Sequence, residues 1–302
     1  MLGIRVGRDR ISKTISLSQA AYIDSIIKRF DLLDAPPMQT PIDQKALLSK
    51  NQSPSTVHQE DMRNVPYREA VSSLMYAAIG TRPDITYAVT ALSQHLQDLG
   101  RAHWEQAKRG IRYLKGSRDL ELTYGPSGGV EGFTDANWGT DVDDRHSICG
   151  YIFMLNGGAV SWSSKKQSVV ALSSIEAEHI GITHATKEAT WIRHLLSERY
   201  SPLVPNHPTT LYCNNKSAIE LVKNAIFHSR TKHIAICFPY VREVFNSGPI
   251  TLEHRGTEGS HPTTDSVLHC RRGDLESMML DSIYYIIHIL YHYLSCEKTT
   301  SS

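Results

Sequence analysis

Two acidic side chains occupy positions where a carboxylate costs free energy unless it has a partner or binds a metal ion. The segment around residues 174–196 carries an apolar stripe with helical spacing, formed by Ile175, Ile182, Ala185, Ala189, Ile192 and Leu196. Glu178 falls on that stripe, whereas Glu176 falls off it. A carboxylate on the face that packs against a core needs a partner or a metal ion. Glu178 is therefore predicted to be a metal ligand or one half of a structural salt bridge.

Asp135 follows a run of strand-forming residues, Val130 to Thr134. Side chains at the carboxyl end of a strand project into the crevice where α/β proteins bind ligands. An Asp in this place can also simply cap the loop after the strand. Together, Asp135 and Glu178 could hold a divalent cation, and Mg²⁺ prefers oxygen ligands but usually takes few protein carboxylates.

The elements that would position these residues form an α/β pattern. The glycine-containing segment Gly125 to Gly129 predicts a domain boundary. The strand that leads to Asp135 follows it. A hairpin follows, with Asn156-Gly157 as a strong turn signal. The long helix is then followed by a strand, a helix and a strand, at residues 209–213, 217–223 and 250–254. This order predicts a mixed-sheet α/β domain.

The chain before this boundary is predicted to be mostly helical. It begins with a predicted hairpin, a strand at residues 2–6, a turn at residues 7–10 and a strand at residues 14–17. A proline-containing linker or ordered loop spans residues 34–65. Apolar residues then recur with helical spacing in three segments, 67–79, 84–96 and 103–115.

One of these helical segments has a basic outer face. It carries Arg109, Arg112 and Lys115, and Arg101, Lys108 and Arg118 extend it. A solvated helix face is the simpler interpretation. The functional interpretation is that these side chains form a stripe that neutralises the phosphates of a nucleic acid.

Composition excludes some classes of protein and leaves others open. The 302 residues include 32 Lys and Arg against 31 Asp and Glu, so net charge does not identify a partner. Five irregularly spaced cysteines indicate reduced thiols and an intracellular protein, cytoplasmic or nuclear. The longest apolar stretch, residues 283–294, is shorter than the roughly 20 residues that cross a bilayer, so no membrane association is expected.

A series of motifs then follows in order. It is Phe133-Thr-Asp-Ala-Asn-Trp138, Gly150-Tyr-Ile-Phe, Ala159-Val-Ser-Trp-Ser-Ser-Lys-Lys-Gln167, Glu176-Ala-Glu-His179, Lys187-Glu-Ala-Thr-Trp-Ile-Arg193 and Phe227-His-Ser-Arg-Thr-Lys-His233. The series resembles the ribonuclease H domain of copia-type retrotransposon Pol polyproteins. Upstream, Thr81-Arg-Pro-Asp-Ile85 and the segment 103–116 resemble the end of the reverse transcriptase of the same family. The resemblance covers about residues 1–258.

The resemblance implies a ribonuclease H-like mixed sheet with flanking helices and hydrolysis of RNA in RNA–DNA hybrids. In the family, two magnesium ions about 4 Å apart activate water and stabilise the leaving oxygen. Four carboxylates hold these ions, and the first two correspond to Asp135 and Glu178. The third family carboxylate ends the strand Leu-Tyr-Cys-Asp-Asn, but here that position is Asn214. The fourth belongs to an Ala-Asp motif that this chain lacks, and Asp265 is the nearest possible substitute.

These departures predict an impaired or inactive nuclease. The expected organisation is a reverse-transcriptase remnant at residues 1–124, a ribonuclease H-like domain at 125–258 and a divergent, out-of-frame tail at 259–302. RNA–DNA hybrid is the expected partner, with the rest of a reverse transcriptase as a further one. Arg230, Lys232 and His233 face either phosphates or solvent. The alternative functions are a non-catalytic nucleic-acid-binding remnant and a pseudogene product.

Two smaller expectations concern the loop after Asp135 and the aromatic residues near it. Val142-Asp143-Asp144 superficially resembles a polymerase motif, but its surroundings indicate a loop. The polymerase carboxylates themselves are expected upstream of Met1. Trp138 and Trp162 are both predicted to belong to the core.

Overall fold

The architecture is taken from a computed structural model of the chain. The structure describes residues 3–43, 45–53, 62, 64–126, 128–199, 207–223 and 237–256. The predicted tail at residues 259–302 and the predicted contact residues Arg230, Lys232 and His233 lie outside these ranges.

In the described residues, the N-terminal part combines four α-helices with a small antiparallel sheet. The sheet has the order β1–β2–β3, and its third strand was not predicted from the sequence. The strands are β1 (Arg5–Asp9), β2 (Thr14–Ser18) and β3 (Leu122–Tyr124). The helices are α1 (Ala20–Arg29), α2 (Tyr67–Gly80), α3 (Thr86–Ser93) and α4 (Arg101–Gly116), and single turns of 3₁₀ helix lie at Lys50–Gln52 and Pro83–Ile85.

The first hairpin is shifted relative to the prediction. The turn lies after Asp9, whose Oδ1 accepts hydrogen bonds from the backbone N–H groups of Ile11 at 2.8 Å and Ser12 at 3.3 Å. Gly7, predicted to be in the turn, lies inside β1 opposite Ser16. A side chain at Gly7 would come within 2.5 Å of the Ser16 hydroxyl, so this glycine permits close strand approach.

The second sheet has five strands in the order β6–β5–β4–β7–β8. β5 runs antiparallel to both of its neighbours, β6 and β4, whereas β4, β7 and β8 run parallel. The strands are β4 (Val130–Asn137), β5 (Ile148–Leu155), β6 (Gly158–Lys166), β7 (Thr209–Cys213) and β8 (Ile250–His254). The helices are α5 (Ser174–Arg199), α6 (Lys216–Lys223) and α7 (Cys237–Asn246), of which the last was not predicted. This arrangement confirms the α/β, ribonuclease H-like fold class, a mixed sheet with flanking helices.

Local sequence signals fixed the β5–β6 hairpin. Asn156 and Gly157 have φ angles of 53° and 81°, and a two-residue turn with both angles positive matches the twist of the flanking strands. Asn and Gly adopt positive φ more readily than other residues. The register then aligns Leu155 with Gly158 at the turn.

The long helix α5 packs its predicted apolar stripe onto the sheet. Ile182, Ala185 and Ile192 are fully buried, together with Ala189 and Leu196, and they pack in one cluster with Phe153 and Leu211. Glu178 is 4% exposed, which confirms that it faces inward. Glu176 is also buried, but its carboxylate accepts a hydrogen bond from the Leu172 N–H at 2.6 Å and thereby caps the helix start.

The hydrophobic core of the second sheet continues into the N-terminal part. Leu17 and Tyr124 of the small sheet belong to the same cluster as the second sheet, and the Tyr124 hydroxyl donates to Ala159 O at 2.7 Å. Trp162 is 4% exposed and donates its Nε1–H to Ala78 O of α2 at 3.0 Å, so its predicted core position is confirmed. The two parts thus share buried surface.

Trp138 contradicts the prediction of a core position. Trp138 is 54% exposed, and its indole N–H donates a hydrogen bond to Ala171 O at 2.9 Å. The ring therefore lies across the surface and ties the loop after β4 to the segment before α5. The sequence showed a large aromatic residue but not that its strand had ended one residue earlier.

The segment containing Val142-Asp143-Asp144 is a turn, as predicted, and it contacts the N-terminal part. Asp143 accepts hydrogen bonds from the Ser49 hydroxyl at 2.6 Å and the Lys50 N–H at 3.0 Å. Lys166 joins the turn by ion pairs to Asp141 at 2.6 Å and Asp144 at 2.7 Å. Asp143 therefore joins the two parts of the chain, whereas Asp141 and Asp144 hold the turn against β6.

Candidate active site

Asp135 lies where two strands separate. Its predicted position at a strand end needs correction, because β4 continues to Asn137 and Asp135 is paired with Gly150 of β5. On the other side, however, the pairing of β4 with β7 ends at Thr134 and Cys213. The Asp135 side chain is therefore at the point where the parallel partner stops and the antiparallel partner continues. Such a change of direction is where open α/β sheets leave a crevice.

Asn214 faces Asp135 across this crevice. It is the first residue after β7, and its Nδ2 donates a hydrogen bond to Asp135 Oδ1 at 3.1 Å. Both residues are half-buried. The structure thus brings together two of the three predicted catalytic positions, and one Asp135 oxygen accepts a hydrogen bond from the Asn214 amide.

Glu178 approaches the same strand ends from α5. Its Oε2 lies 4.0 Å from the Cys213 Sγ, and Cys213 directly precedes Asn214. Burial, together with the negative charges of Glu178 and Asp135, raises the pKa of the Cys213 thiol to about 12. Both predicted metal ligands therefore act electrostatically on one buried thiol, which locates a region of negative potential at the end of β7.

Helix α6 begins immediately beyond this crevice. The Asn215 side-chain oxygen accepts a hydrogen bond from the Ala218 N–H at 3.0 Å, and its carbonyl accepts one from Ile219 at 3.1 Å. Asn is a favourable N-cap residue because its side chain satisfies a free N–H of the first turn. The pair Asn214-Asn215 therefore divides its roles: the first residue faces the crevice and the second begins a helix.

The side chains present suit one divalent cation better than two. Asp135 and Glu178 provide carboxylate oxygens, and Asn214 provides a neutral amide. Within the described ranges, no group of three His, Cys, Asp or Glu residues is placed to hold a metal ion. Two carboxylates carry two negative charges, whereas two divalent ions carry four positive ones. The hydrogen bond from Asn214 further occupies an oxygen that a second ion would need.

The basic face of α4 contacts the loop that crosses it. Arg109 donates to the Thr40 hydroxyl at 2.8 Å, and Arg112 donates to Pro36 O at 2.7 Å. Lys115 donates to the carbonyl of Ala35 at 2.9 Å and also to that of Leu33. These three cations hold the segment of residues 32–40 against the helix. Their predicted contact with phosphates stays a prediction, as does that of Arg230, Lys232 and His233.

An aromatic and cationic group that the sequence did not predict lies beside the crevice. The rings of Phe133 in β4 and Tyr212 in β7 stack with centroids 5.1 Å apart and planes inclined by 27°. The Arg255 guanidinium, just after β8, lies 5.3 Å from the Phe133 centroid and 5.1 Å from the Tyr212 centroid. The three residues come from distant parts of the sequence, and only strand adjacency joins them.

Comparison with known proteins gives relatives that are much longer than this chain. The retrovirus-related Pol polyprotein from transposon TNT 1-94 of Nicotiana tabacum is 42% identical over 246 residues, which is 81% of this chain and 18% of that protein. A retrovirus-related Pol polyprotein from an Arabidopsis thaliana transposon is 38% identical over 252 residues, 82% of this chain and 17% of that protein. The chain therefore spans less than a fifth of the curated relatives named here.

Comparison with solved structures and family models adds less. A ribonuclease H1 from Halobacterium salinarum aligns with a TM-score of 0.32 and 11% identity, over 43% of this chain and 87% of that one. No family model matches the chain. Separately, none of the helices in the described part of the chain is both long and apolar enough to cross a bilayer.

Proposed function

We propose a function from one premise: the chain belongs to the Pol polyproteins of copia-type retrotransposons. It carries the ribonuclease H domain of that family, preceded by chain that resembles the end of a reverse transcriptase. We propose that residues 125–258 bind RNA–DNA hybrid at the crevice between β4 and β7 and cleave its RNA strand poorly. The rest of a reverse transcriptase is the proposed protein partner. No residue of the divergent tail at 259–302 is assigned to the site, although the family's fourth carboxylate would fall near Thr263.

The proposed cofactor is Mg²⁺, held by Asp135 and Glu178. When bound, it activates water and stabilises the leaving oxygen. Glu178 would provide a carboxylate whose surroundings exclude water, and Asp135 would provide a half-exposed one that substrate can reach. The Asn214 amide could contribute an oxygen only by turning its nitrogen away from Asp135.

The observation that carries the proposal is the hydrogen bond from Asn214 to Asp135. A carboxylate in place of this amide would repel Asp135 unless a cation lay between them. With Asn214, the pair is already satisfied by its own hydrogen bond, so the site does not require a cation to be stable. We therefore infer weak metal affinity and a large loss of cleavage rate, since each ion contributes several kcal/mol of transition-state stabilisation.

The test is the cleavage rate of an end-labelled RNA–DNA hybrid with Mg²⁺ or Mn²⁺. The full chain is compared with Asn214→Asp and with Asn214→Asp combined with Thr263→Asp, which restores a carboxylate near the family's fourth position. We expect wild type to cut close to the background rate, the single repair to cut at least about tenfold faster and the double repair faster still. Asp135→Asn in the repaired chain is the control and should abolish the gain. If wild type already cuts at the repaired rate, Asn214 is a competent ligand and the proposal of impairment is wrong.

The same hydrogen bond favours a second candidate, a nucleic-acid-binding remnant without catalysis. A chain whose crevice is satisfied without a cation can still bind hybrid through the basic residues predicted to contact phosphates, which are Arg109, Arg112, Lys115, Arg230, Lys232 and His233. In that case hybrid binding measured with EDTA would be intact, while neither repair would restore cleavage. A pseudogene product without selected function would show neither binding nor cleavage.

A further inference from the structure

We propose that Arg255 is a phosphate anchor that positions the nucleic-acid backbone beside the crevice formed by Asp135 and Asn214. The inference rests on the proposed function, because it takes a nucleic acid as the ligand. It adds a positioning residue, supplied by β8, to the residues that the sequence predicted.

Strand register places Arg255 in line with the crevice. Phe133 pairs with Tyr212, and the next but one residue on each strand is Asp135 and Asn214. Residues two apart on a strand face the same side of the sheet. The aromatic pair therefore lies one step below the crevice on the same face, and the hydrogen bond between Asn214 and Asp135 agrees with this placement.

Strand β8 extends the same line. Cys213 pairs with His254, so Arg255 is the neighbour of Asn214 on the next strand, and its N–H donates to Cys213 O at 3.0 Å. This backbone bond fixes the Cα of Arg255 without using its side chain. Arg255, Asn214 and Asp135 thus occupy equivalent positions at the carboxyl edge of three parallel strands.

The side chain of Arg255 is held by contact with two rings, and no residue in the described ranges uses its donors. The guanidinium lies against both rings of the stacked Phe133–Tyr212 pair, at 5.3 and 5.1 Å from their centroids, a geometry that favours a cation. It is half-buried, and among the residues that the structure describes it makes neither a hydrogen bond nor an ion pair. Contact with the rings restricts the side chain, so less freedom is lost when it binds a ligand.

The chemistry of this group fits a phosphodiester. A guanidinium presents five N–H donors in a planar fork that matches two phosphate oxygens and is weakly hydrated. The crevice itself is negative, because it contains Asp135 and lies near Glu178, and it would repel a nucleic-acid backbone. A cation on the same edge offsets that repulsion and leaves the carboxylates to face the sugar and the cleavable bond.

The experiment measures binding of the full chain to a fluorescent RNA–DNA hybrid by anisotropy, with EDTA present so that cleavage does not enter. Wild type is compared over a salt series with Arg255→Gln, Arg255→Lys and Arg29→Gln. Arg29 is an exposed arginine of α1 and is the matched control. We expect Arg255→Gln to weaken binding about tenfold and to lower the slope of log affinity against log salt by about one. Arg255→Lys should keep the slope and lose part of the affinity, and Arg29→Gln should match wild type.

A merely structural Arg255 would change the melting temperature of the chain and leave the salt slope of binding intact, and that result would overturn the proposal.

Duplex DNA in the same assay separates the anchor from the proposed function. If Arg255 anchors backbone phosphates, Arg255→Gln should weaken DNA binding by a factor similar to that for hybrid. If wild type binds DNA but not hybrid, and Arg255→Gln weakens DNA binding, the anchor stands and the hybrid function fails. If wild type binds neither, both fail. Inorganic phosphate and chloride are also compared as competitors at equal ionic strength. If phosphate displaces the nucleic acid more strongly than chloride does, the site binds a free anion, and the proposal of a backbone anchor is overturned.

Discussion

Asn214 donates its amide N–H to Asp135 Oδ1 at 3.1 Å, across two strands that have just ceased to pair. This contact couples a position expected to be a carboxylate to the first carboxylate of the site. It also makes the site self-sufficient in the absence of a cation. The effect of a cation on the stability of the fold should therefore depend on which residue occupies position 214.

Asn214→Asp should make the stability of the chain dependent on Mg²⁺. Two facing carboxylates repel each other, so the variant should melt below wild type in EDTA. Excess Mg²⁺ should reverse this, since a cation at about 100 times its Kd stabilises a fold by about 2.7 kcal/mol. Thermal unfolding with EDTA and with Mg²⁺ measures both effects. Asn214→Ala, which gains no carboxylate, is the control, and an equal Mg²⁺ shift in wild type and Asn214→Asp would contradict the prediction.

Asp84→Asn should destabilise the chain severely. Asp84 forms a bidentate pair with Arg82, at 2.9 and 2.7 Å, and the side chains of the two residues are 1% and 0% exposed. Removing the carboxylate charge leaves the Arg82 cation buried without its partner, which costs about 3–5 kcal/mol. The free energy of unfolding in urea measures the change.

The control for this prediction is Asp24→Asn. Asp24 pairs with Arg118 at 2.6 Å, but both side chains are substantially exposed, at 49% and 40%. Ion pairs at the surface are screened by water and contribute little. A loss for Asp84→Asn no larger than that for Asp24→Asn would show that the buried pair is dispensable.

His103 should make the fold less stable in mild acid. Burial and the neighbouring His95 ring, stacked at 4.1 Å, lower the pKa of His103 to about 4, although Asp143 acts in the opposite direction. The unfolded imidazole has a pKa of about 6.5. Between these values the unfolded chain binds a proton that the folded chain does not. Stability is therefore complete above about pH 6.5 and falls as the pH decreases towards about 4.

The variant His103→Asn tests this dependence. Its side-chain oxygen can replace Nδ1 as the acceptor of the Gly100 N–H, now at 2.8 Å, but it cannot be protonated in this range. The slope of unfolding free energy against pH should fall by up to about 1.4 kcal/mol per pH unit. His194→Asn, at an exposed position on α5, should keep the wild-type slope. An unchanged slope in His103→Asn would assign the acid sensitivity to other groups.

Lys115→Met should loosen the segment that crosses α4. The variant keeps the apolar stem of the side chain but loses the donors to Leu33 and Ala35, and hydrogen bonds from a charged group contribute about 1.5–3 kcal/mol. Urea unfolding measures this loss, with Lys108→Met on the same helix as the control. Hybrid binding over a salt series tests the predicted phosphate contact separately, since a phosphate-binding lysine also lowers the salt slope by about one. An intact slope would leave Lys115 with the structural role alone.

The sequence by itself determined the local elements and the direction of several side chains. The 3.6-residue period placed Glu178 on the buried face of α5, because a helix repeats its faces within a few residues. The Asn156-Gly157 pair determined its hairpin, because the φ angles of the turn depend on the residues that form it. Strands β7 and β8 lie at the predicted residues because the residue types that favour a strand are a local signal.

Only the tertiary structure decided which of these residues meet. Asn214 and Asp135 are 79 positions apart, and Arg112 and Pro36 are 76 apart. The composition of the sequence showed a basic helix face, but the carbonyl groups that it contacts belong to a loop without periodicity. Phe133, Tyr212 and Arg255 meet because β4, β7 and β8 are neighbours in the sheet. Strand order depends on how whole faces are buried against one another, and no local pattern of residues encodes it.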